Sequence, residues 1–383
     1  MAAKIKKNVI WLGLVSLFRD MSSEMSFPIL PIFLYNVLGA PAIIIGLIDG
    51  IAESTASVLK TFSGYISDKI GKRKGLVLFG YSLSSLTQPI FAVSSIWQHV
   101  LGGRILDRVG KGIRDAPRDA LVAAEGKKQV RGKYFGAMRA LDTAGAVIGN
   151  ILAFVVLLYF SMQFRVLFWF AFIPGIIAVL IIVFKVHDVK IPKKKRIVKL
   201  NFKGFSSQFK KLIAIITVFG IAHFSYSFYI LRAQSLGIIL LMIPIAYLVY
   251  NIFYAGFAYQ AGEISDRIGR RQMLIMGYLL FSIVTFAFAY ANSEVWVWFL
   301  FPLYGIFMAA TNGVTRAYVS DLVPANRRGT ALGLYHTAAG LAMLPAGIIA
   351  GTLWDTISIQ APFFFSGAVA LFAAILLIIL MKK

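Results

Sequence analysis

The chain has 383 residues, 59% of them hydrophobic and 14% charged, and its mean hydropathy is +0.78. A soluble domain carries about 25% charged residues, so the composition argues against a water-soluble enzyme, a disordered chain or a nucleic-acid-binding protein. The net charge of +23 must therefore be explained within a membrane protein, and the lack of cysteine removes disulfides and thiolate metal sites.

Taken from the N-terminus, Lys4, Lys6 and Lys7 precede an apolar stretch from Val9 to Phe18. That stretch runs into Arg19-Asp20 with no small-x-small cleavage pattern, so it reads as a retained first helix rather than a signal peptide. A spanning helix needs about 20 predominantly apolar residues. Apolar windows between Gly, Pro and charge punctuation predict spans near 9–36, 41–62, 75–94, 97–122, 134–158 and 165–184. A second set falls near 212–231, 237–260, 273–291, 295–319, 330–353 and 360–381. The predicted class is an all-α polytopic membrane protein with twelve transmembrane helices. Spans one, four and five carry too many charges for hydropathy alone to find them.

Residues 185–211 divide the chain. Their Lys193-Lys194-Lys195-Arg196 run cannot enter hydrocarbon, so they read as a basic cytoplasmic linker between an N-terminal six-helix half (1–184) and a C-terminal one (212–383). Ile197, Leu200, Phe202 and Phe205 suit contact with the inner leaflet. Most Lys and Arg fall in the N-terminus, in 64–74, 125–133, 185–211, 262–272 and 321–329, and at the C-terminus. The alternate short loops hold only Arg165 and Arg232. This asymmetry predicts a multi-pass protein of the cell membrane with both termini cytoplasmic. Its basic loops then face anionic lipid, and no nucleic-acid partner is expected.

An eleven-residue pattern occurs twice. Gly64-Tyr-Ile-Ser-Asp68-Lys69-Ile-Gly71-Lys72-Arg73-Lys74, after span two, returns after span eight as Gly262-Glu-Ile-Ser-Asp266-Arg267-Ile-Gly269-Arg270-Arg271-Gln272. Internal symmetry at half the chain length is what a duplicated six-helix transporter should show.

On these residues the chain resembles the major facilitator superfamily, whose Gly-x-x-x-Asp-Arg-x-Gly-Arg-Arg loop joins spans two and three and recurs between eight and nine. The resemblance implies a secondary transporter that rocks two pseudo-symmetric halves around a midplane site. It implies gating roles, away from substrate, for Gly64, Asp68, Gly71, Arg73, Gly262, Asp266, Gly269 and Arg271. Arg104-Ile-Leu-Asp107-Arg108-Val-Gly110-Lys111-Gly112 resembles the family's Arg-x-x-x-Gly-x-Gly element, associated with proton coupling in drug antiporters. Gly145-Ala-Val-Ile-Gly149-Asn150 resembles the glycine-rich element of proton-driven exporters, with Asn150 where the family normally has proline. Asp20-Met-Ser-Ser-Glu24-Met and Arg139-Ala-Leu-Asp142 are similar to a prokaryotic permease branch.

Ionisable residues inside a span are costly and face the bundle interior or a wet cavity. The first half carries Asp20, Glu24, Asp49, Glu53 and Asp142 with Arg19 and Arg139, whereas the second half has no acidic residue well inside a span. Around span four, at about 100° per residue, Arg104, Asp107, Arg108, Lys111, Arg114, Asp115, Arg118 and Asp119 share one arc of about 140°. Pro117 is expected to kink or end that helix. One or more of the five carboxylates is expected to carry a coupling proton, with Arg104, Arg108 or Lys111 as counter-charge or anion contact. The alternative is a set of static ion pairs. Lys60, Arg114, Arg118 and Asp119 read as cytoplasmic-end gating or snorkelling charges.

In the second half, His223, His336 and Arg316 are the titratable or charged candidates. In the resembled fold His223 and His336 fall on helices bordering the central cavity. Phe224, Tyr226, Phe228 and Tyr229 read either as a pocket for a flat substrate or as ordinary packing. Trp296 and Trp298 fit an interfacial belt. No His-Glu-x-x-His, Gly-x-Ser-x-Gly or Walker-type loop occurs, so neither an enzyme nor an ATP-driven pump is expected. No metal or cofactor is expected either; a proton or ion gradient would drive a monomer. The expected activity is proton-coupled efflux of a small amphipathic or drug-like compound, or coupled transport of a small organic or inorganic anion.

Overall fold

The computed structural model describes residues 5–70, 73–125, 131–189, 204–324 and 327–381, with the side chains of 60–70 and 131 outside that description. Every regular element among the described residues is helical. The first half comprises α1 (Lys7–Ser26), α2 (Leu30–Ile32), a π-helical turn at Phe33–Val37, α3 (Ala42–Ile70), α4 (Lys74–Ser85), α5 (Thr87–Val93), α6 (Trp97–Ala124), α7 (Arg131–Tyr159) and α8 (Phe164–Lys185). The second comprises α9 (Ser207–Ala222), α10 (Tyr226–Ser235), a 3-10 turn at Leu240–Met242, α11 (Ile243–Ile268), α12 (Arg270–Tyr290), α13 (Val295–Asp321), α14 (Arg328–Thr356) and α15 (Ala361–Leu380).

Among the described residues, ten helical segments are long and apolar enough to cross a membrane. The predicted spans outside those ten are α1 and α6, the charged spans one and four. Span five, also expected to escape detection, passes as α7, because a long apolar run follows Asp142. Among the described residues, three spans are interrupted. Pro28 and Pro31 remove amide donors after α1, and Pro89 does so just inside α5. Span seven breaks between Ala222 and Tyr226, where Ser225 is extended and its hydroxyl accepts from the Ser227 amide as the cap of α10. Pro117 does not end its helix: α6 continues to Ala124.

The chain divides into two compact units, Met1–Leu38 with Thr55–Ile197, and Gly39–Ser54 with Val198–Lys383. Within the first, α1 packs on α7 and α8, and α4 on α6 and α8. Within the second, α9 packs on α14 and α15, and α12 on α13 and α15. These four pairings recur six spans apart.

Apolar surface gives helices little reason to associate in lipid, so close backbone approach through small residues carries the packing. A methyl group at Gly145 would lie 2.3 Å from the Leu17 carbonyl oxygen, and one at Gly149 would lie 2.6 Å from that of Met21. The glycine-rich element of span five is therefore the surface on which α7 meets α1. Large apolar side chains such as Phe79, Phe184, Ile283 and Phe299 point outward, as a lipid-facing surface requires.

Candidate functional site

In the first unit, the charged arc of α6 turns inward against α1 and α4. Arg19 donates to Asp107 Oδ1 at 2.6 Å and to Ser22 Oγ at 3.0 Å, with both ion-pair partners buried. Arg108 Nε lies 3.8 Å from Asp107 Oδ2. The guanidinium groups of Arg104 and Arg108 sit 5.0 and 5.3 Å from the ring centre of Phe27, where the ring's negative face partly offsets their desolvation. Further along, Arg114 lies 4.3 Å above the Tyr81 ring. Arg118 donates to Asp119 at 2.9 Å and to Ser16 Oγ at 3.0 Å.

Asp20 is half-buried beside Arg19 and lies within electrostatic reach of Asp142 on α7 and of Lys111, Arg114 and Arg118 on α6. Asp142 Oδ1 is shielded and has no hydrogen-bond partner among the described residues. Glu24 accepts from Asn150 Nδ2 at 3.4 Å. Asn150, at the position where proline is usual in the family element, thus ties α7 to an acidic side chain of α1. Lys111 and Arg139 are exposed.

Asp49, on the first part of α3, belongs to the second unit. Its Oδ2 accepts from the hydroxyls of Ser225, at 2.6 Å, and Ser227, at the break of span seven. Glu53 is half-buried one turn further along. The same stretch of α3 fits closely against α14. A methyl group at Gly46 would lie 2.0 Å from the Gly347 carbonyl oxygen, and Ser54 donates to the Gly340 carbonyl at 2.8 Å. Asp355 accepts from the amides of Ala42 and Ile43 at 3.1 and 2.8 Å, placing a carboxylate on the positive end of α3.

His223 ends α9, and its Nε2 is 3.0 Å from the Tyr304 hydroxyl. Rings of Phe219, Phe281, Tyr304 and Phe307 surround it. Tyr226 packs at 5.4 Å from Tyr247, beside a small aromatic recess that includes Tyr229, Tyr250 and Tyr304. Phe224 and Phe228 are fully buried among other rings. His336 packs against Tyr335 on α14. Arg316 is exposed, with Nε on the Asn312 carbonyl at 3.1 Å.

Of the repeated loops, Gly71 lies outside the described residues, and Gly64 and Asp68 are described by their backbone alone, on the last turns of α3, as is Lys60. Arg73 is buried and its amide donates to the Asp188 carboxylate at 3.2 Å, while Lys74 Nζ donates to the Val183 carbonyl at 2.9 Å, near the end of α8. In the second copy Asp266 pairs with Arg270, which also lies 3.5 Å from Asp321 on α13. Arg271 donates to the carbonyls of Leu377 and Ile378 at 3.2 and 2.7 Å, so a basic residue of each repeated segment reaches the carboxyl end of the last helix of its half. Gly262 accepts from Ser265, and Gly269 has φ +101°, a left-handed turn that glycine adopts at low cost.

A model of the Major Facilitator Superfamily matches residues 12–232 and 212–383. An uncharacterized MFS-type transporter of Methanocaldococcus jannaschii is 40% identical, over 98% of this chain and 95% of the relative. The quinolone resistance protein NorA of Staphylococcus aureus is 25% identical, over 92% of this chain and 91% of that protein. The crystal structure of the nucleoside transporter NupG superposes with a TM-score of 0.80 at 16% identity, covering 99% of this chain and 100% of that one, a likeness of fold.

Proposed function

This chain belongs to the major facilitator superfamily of membrane transporters, and from that premise we propose that it is a proton-linked exporter of a small amphipathic compound. It works in the cell membrane with both termini in the cytoplasm, as a monomer that exposes its site to the two faces in turn. The observation that carries the reading is the pair Asp20 and Asp142. These two carboxylates lie within electrostatic reach of one another on α1 and α7, with Lys111, Arg114 and Arg118 of α6 also acting on Asp20, and acidic groups inside spans mark proton paths. The similarity to a quinolone resistance protein supports export of a drug-like substrate. The Gly262–Arg271 loop and its partner after span two act as gates, apart from the substrate.

The test is proton movement in proteoliposomes under an imposed pH gradient, against a panel of compounds. Asp20→Asn and Asp142→Asn are expected to lose proton-driven flux while retaining substrate exchange; if both keep normal coupling, the assignment is wrong. A second reading, transport of a small anion, is favoured by the exposed Lys111 and Arg139. It requires competition by small carboxylates or phosphate, which the first reading does not.

A further inference from the structure

The second unit contains a cavity of about 120 Å³ between α9, α12, α13 and α14. An apolar cavity of about 150 Å³ already takes up a benzene ring. Its walls carry the rings of Phe219, Tyr278 and Phe307 and the thioethers of Met308 and Met343. No Asp, Glu, Lys or Arg lines it among the described residues. The imidazole of His223 is already engaged through Nε2 with Tyr304. A charged ligand entering here would lose water without gaining a counter-ion. An aromatic one gains ring and sulfur contacts.

The polar lining is uncharged: Thr311, Asn312 and Thr315 on α13, with His223, Tyr278 and Tyr335. Thr311 and Thr315 donate to the carbonyls of Phe307 and Thr311, at 2.9 and 2.7 Å, and so spend their protons on α13 itself. Asn312 gives one amide proton to the Tyr254 hydroxyl at 3.0 Å, which leaves a second N–H and the side-chain carbonyl to a neutral polar group. We infer that this cavity is the substrate subsite and takes an uncharged aromatic compound. The inference rests on the transporter reading above and narrows its substrate class.

The full chain in liposomes is irradiated with 4-(hydroxymethyl)benzophenone, and with the matching benzoate and benzyltrimethylammonium compounds. The excited ketone takes a hydrogen atom from a methionine C–H, and the two radicals join in one C–C bond with no atom lost. Met276, 56% exposed on α12, reports labelling from the lipid. Peptide mass spectrometry is expected to find Met308 and Met343 labelled, relative to Met276, at least tenfold more by the alcohol than by either ion. Ala339→Trp, which fills the cavity, lowers that ratio about tenfold. In the unaltered chain, excess naphthalen-2-ol competes and naphthalene-2-sulfonate does not. Equal labelling by a charged analogue overturns the ligand class, and labelling confined to Met276 overturns the site. Cavity labelling with the alcohol preference intact supports the inference even where a pH gradient drives no flux, so failure of the transport reading is distinguishable.

Discussion

The guanidinium of Arg19 and the carboxylate of Asp107 meet at 2.6 Å with both side chains buried, tying α1 to α6. Removing one partner of a buried pair strands the other charge and costs about 3–5 kcal/mol, whereas replacing both by apolar groups costs far less. Arg19→Met and Asp107→Leu are each expected to lower the thermal unfolding midpoint of the detergent-solubilised protein sharply. The double variant should recover much of the loss. A double variant as unstable as the sum of the singles would show that the pair acts through separate partners.

The contact of α7 with α1 depends on Gly145 and Gly149. Gly145→Val places bulk 2.3 Å from a carbonyl oxygen of α1, and overpacking of this kind costs about 1–3 kcal/mol or more. The variant should unfold at lower temperature than Gly136→Val, on the same helix, where a methyl group would meet nothing within 4 Å. Matching melting curves would refute the close approach.

Gly46 on α3 and Gly347 on α14 touch through their backbones, and a methyl group at either would lie 2.0 or 2.1 Å from the other's carbonyl oxygen. Gly46→Val is therefore expected to force α3 away from α14 and to lower the unfolding midpoint of the detergent-solubilised protein. Gly256→Val, where a methyl group would meet nothing within 4 Å, should lower it far less. Equal midpoints for the two variants would refute the contact.

Arg232 is buried, and its guanidinium donates to the carbonyls of Phe288, Ala289 and Ala291 at 3.0, 3.3 and 2.6 Å around the end of α12. Hydrogen bonds to a charged group contribute about 1.5–3 kcal/mol each. Arg232→Gln should cost at least about 2 kcal/mol. Arg165, exposed and with one bond of 3.0 Å to the Ala92 carbonyl, should cost about 1 kcal/mol or less when changed to Gln. Denaturation of both variants in the same detergent orders them.

Twelve spans, their duplication and the inward turn of the α6 charges were legible because each rests on periodicity within one segment. The partner chosen by those charges was not. Arg19 and Asp20 point about 100° apart on α1, and only the rotation of α1 against α6 decides which of them meets Asp107. Likewise the break in span seven contains neither Pro nor Gly. Its sequence cue is Ser225, a capping residue among apolar neighbours, and the carboxylate bound there, Asp49, lies 176 residues away. Tyr304, Asn312 and the methionines of the cavity carried no signal beyond composition, since aromatic and sulfur side chains pack throughout such a chain.

Arg165 and Arg232 do not occupy equivalent positions: one opens span six and the other closes span seven. Each nevertheless neutralises the carboxyl end of the third span of its own half. The two halves have thus converged on one electrostatic remedy with cations drawn from different helices. Aligning half against half would score these arginines as unrelated, although a bare helix terminus near the bilayer edge demands both.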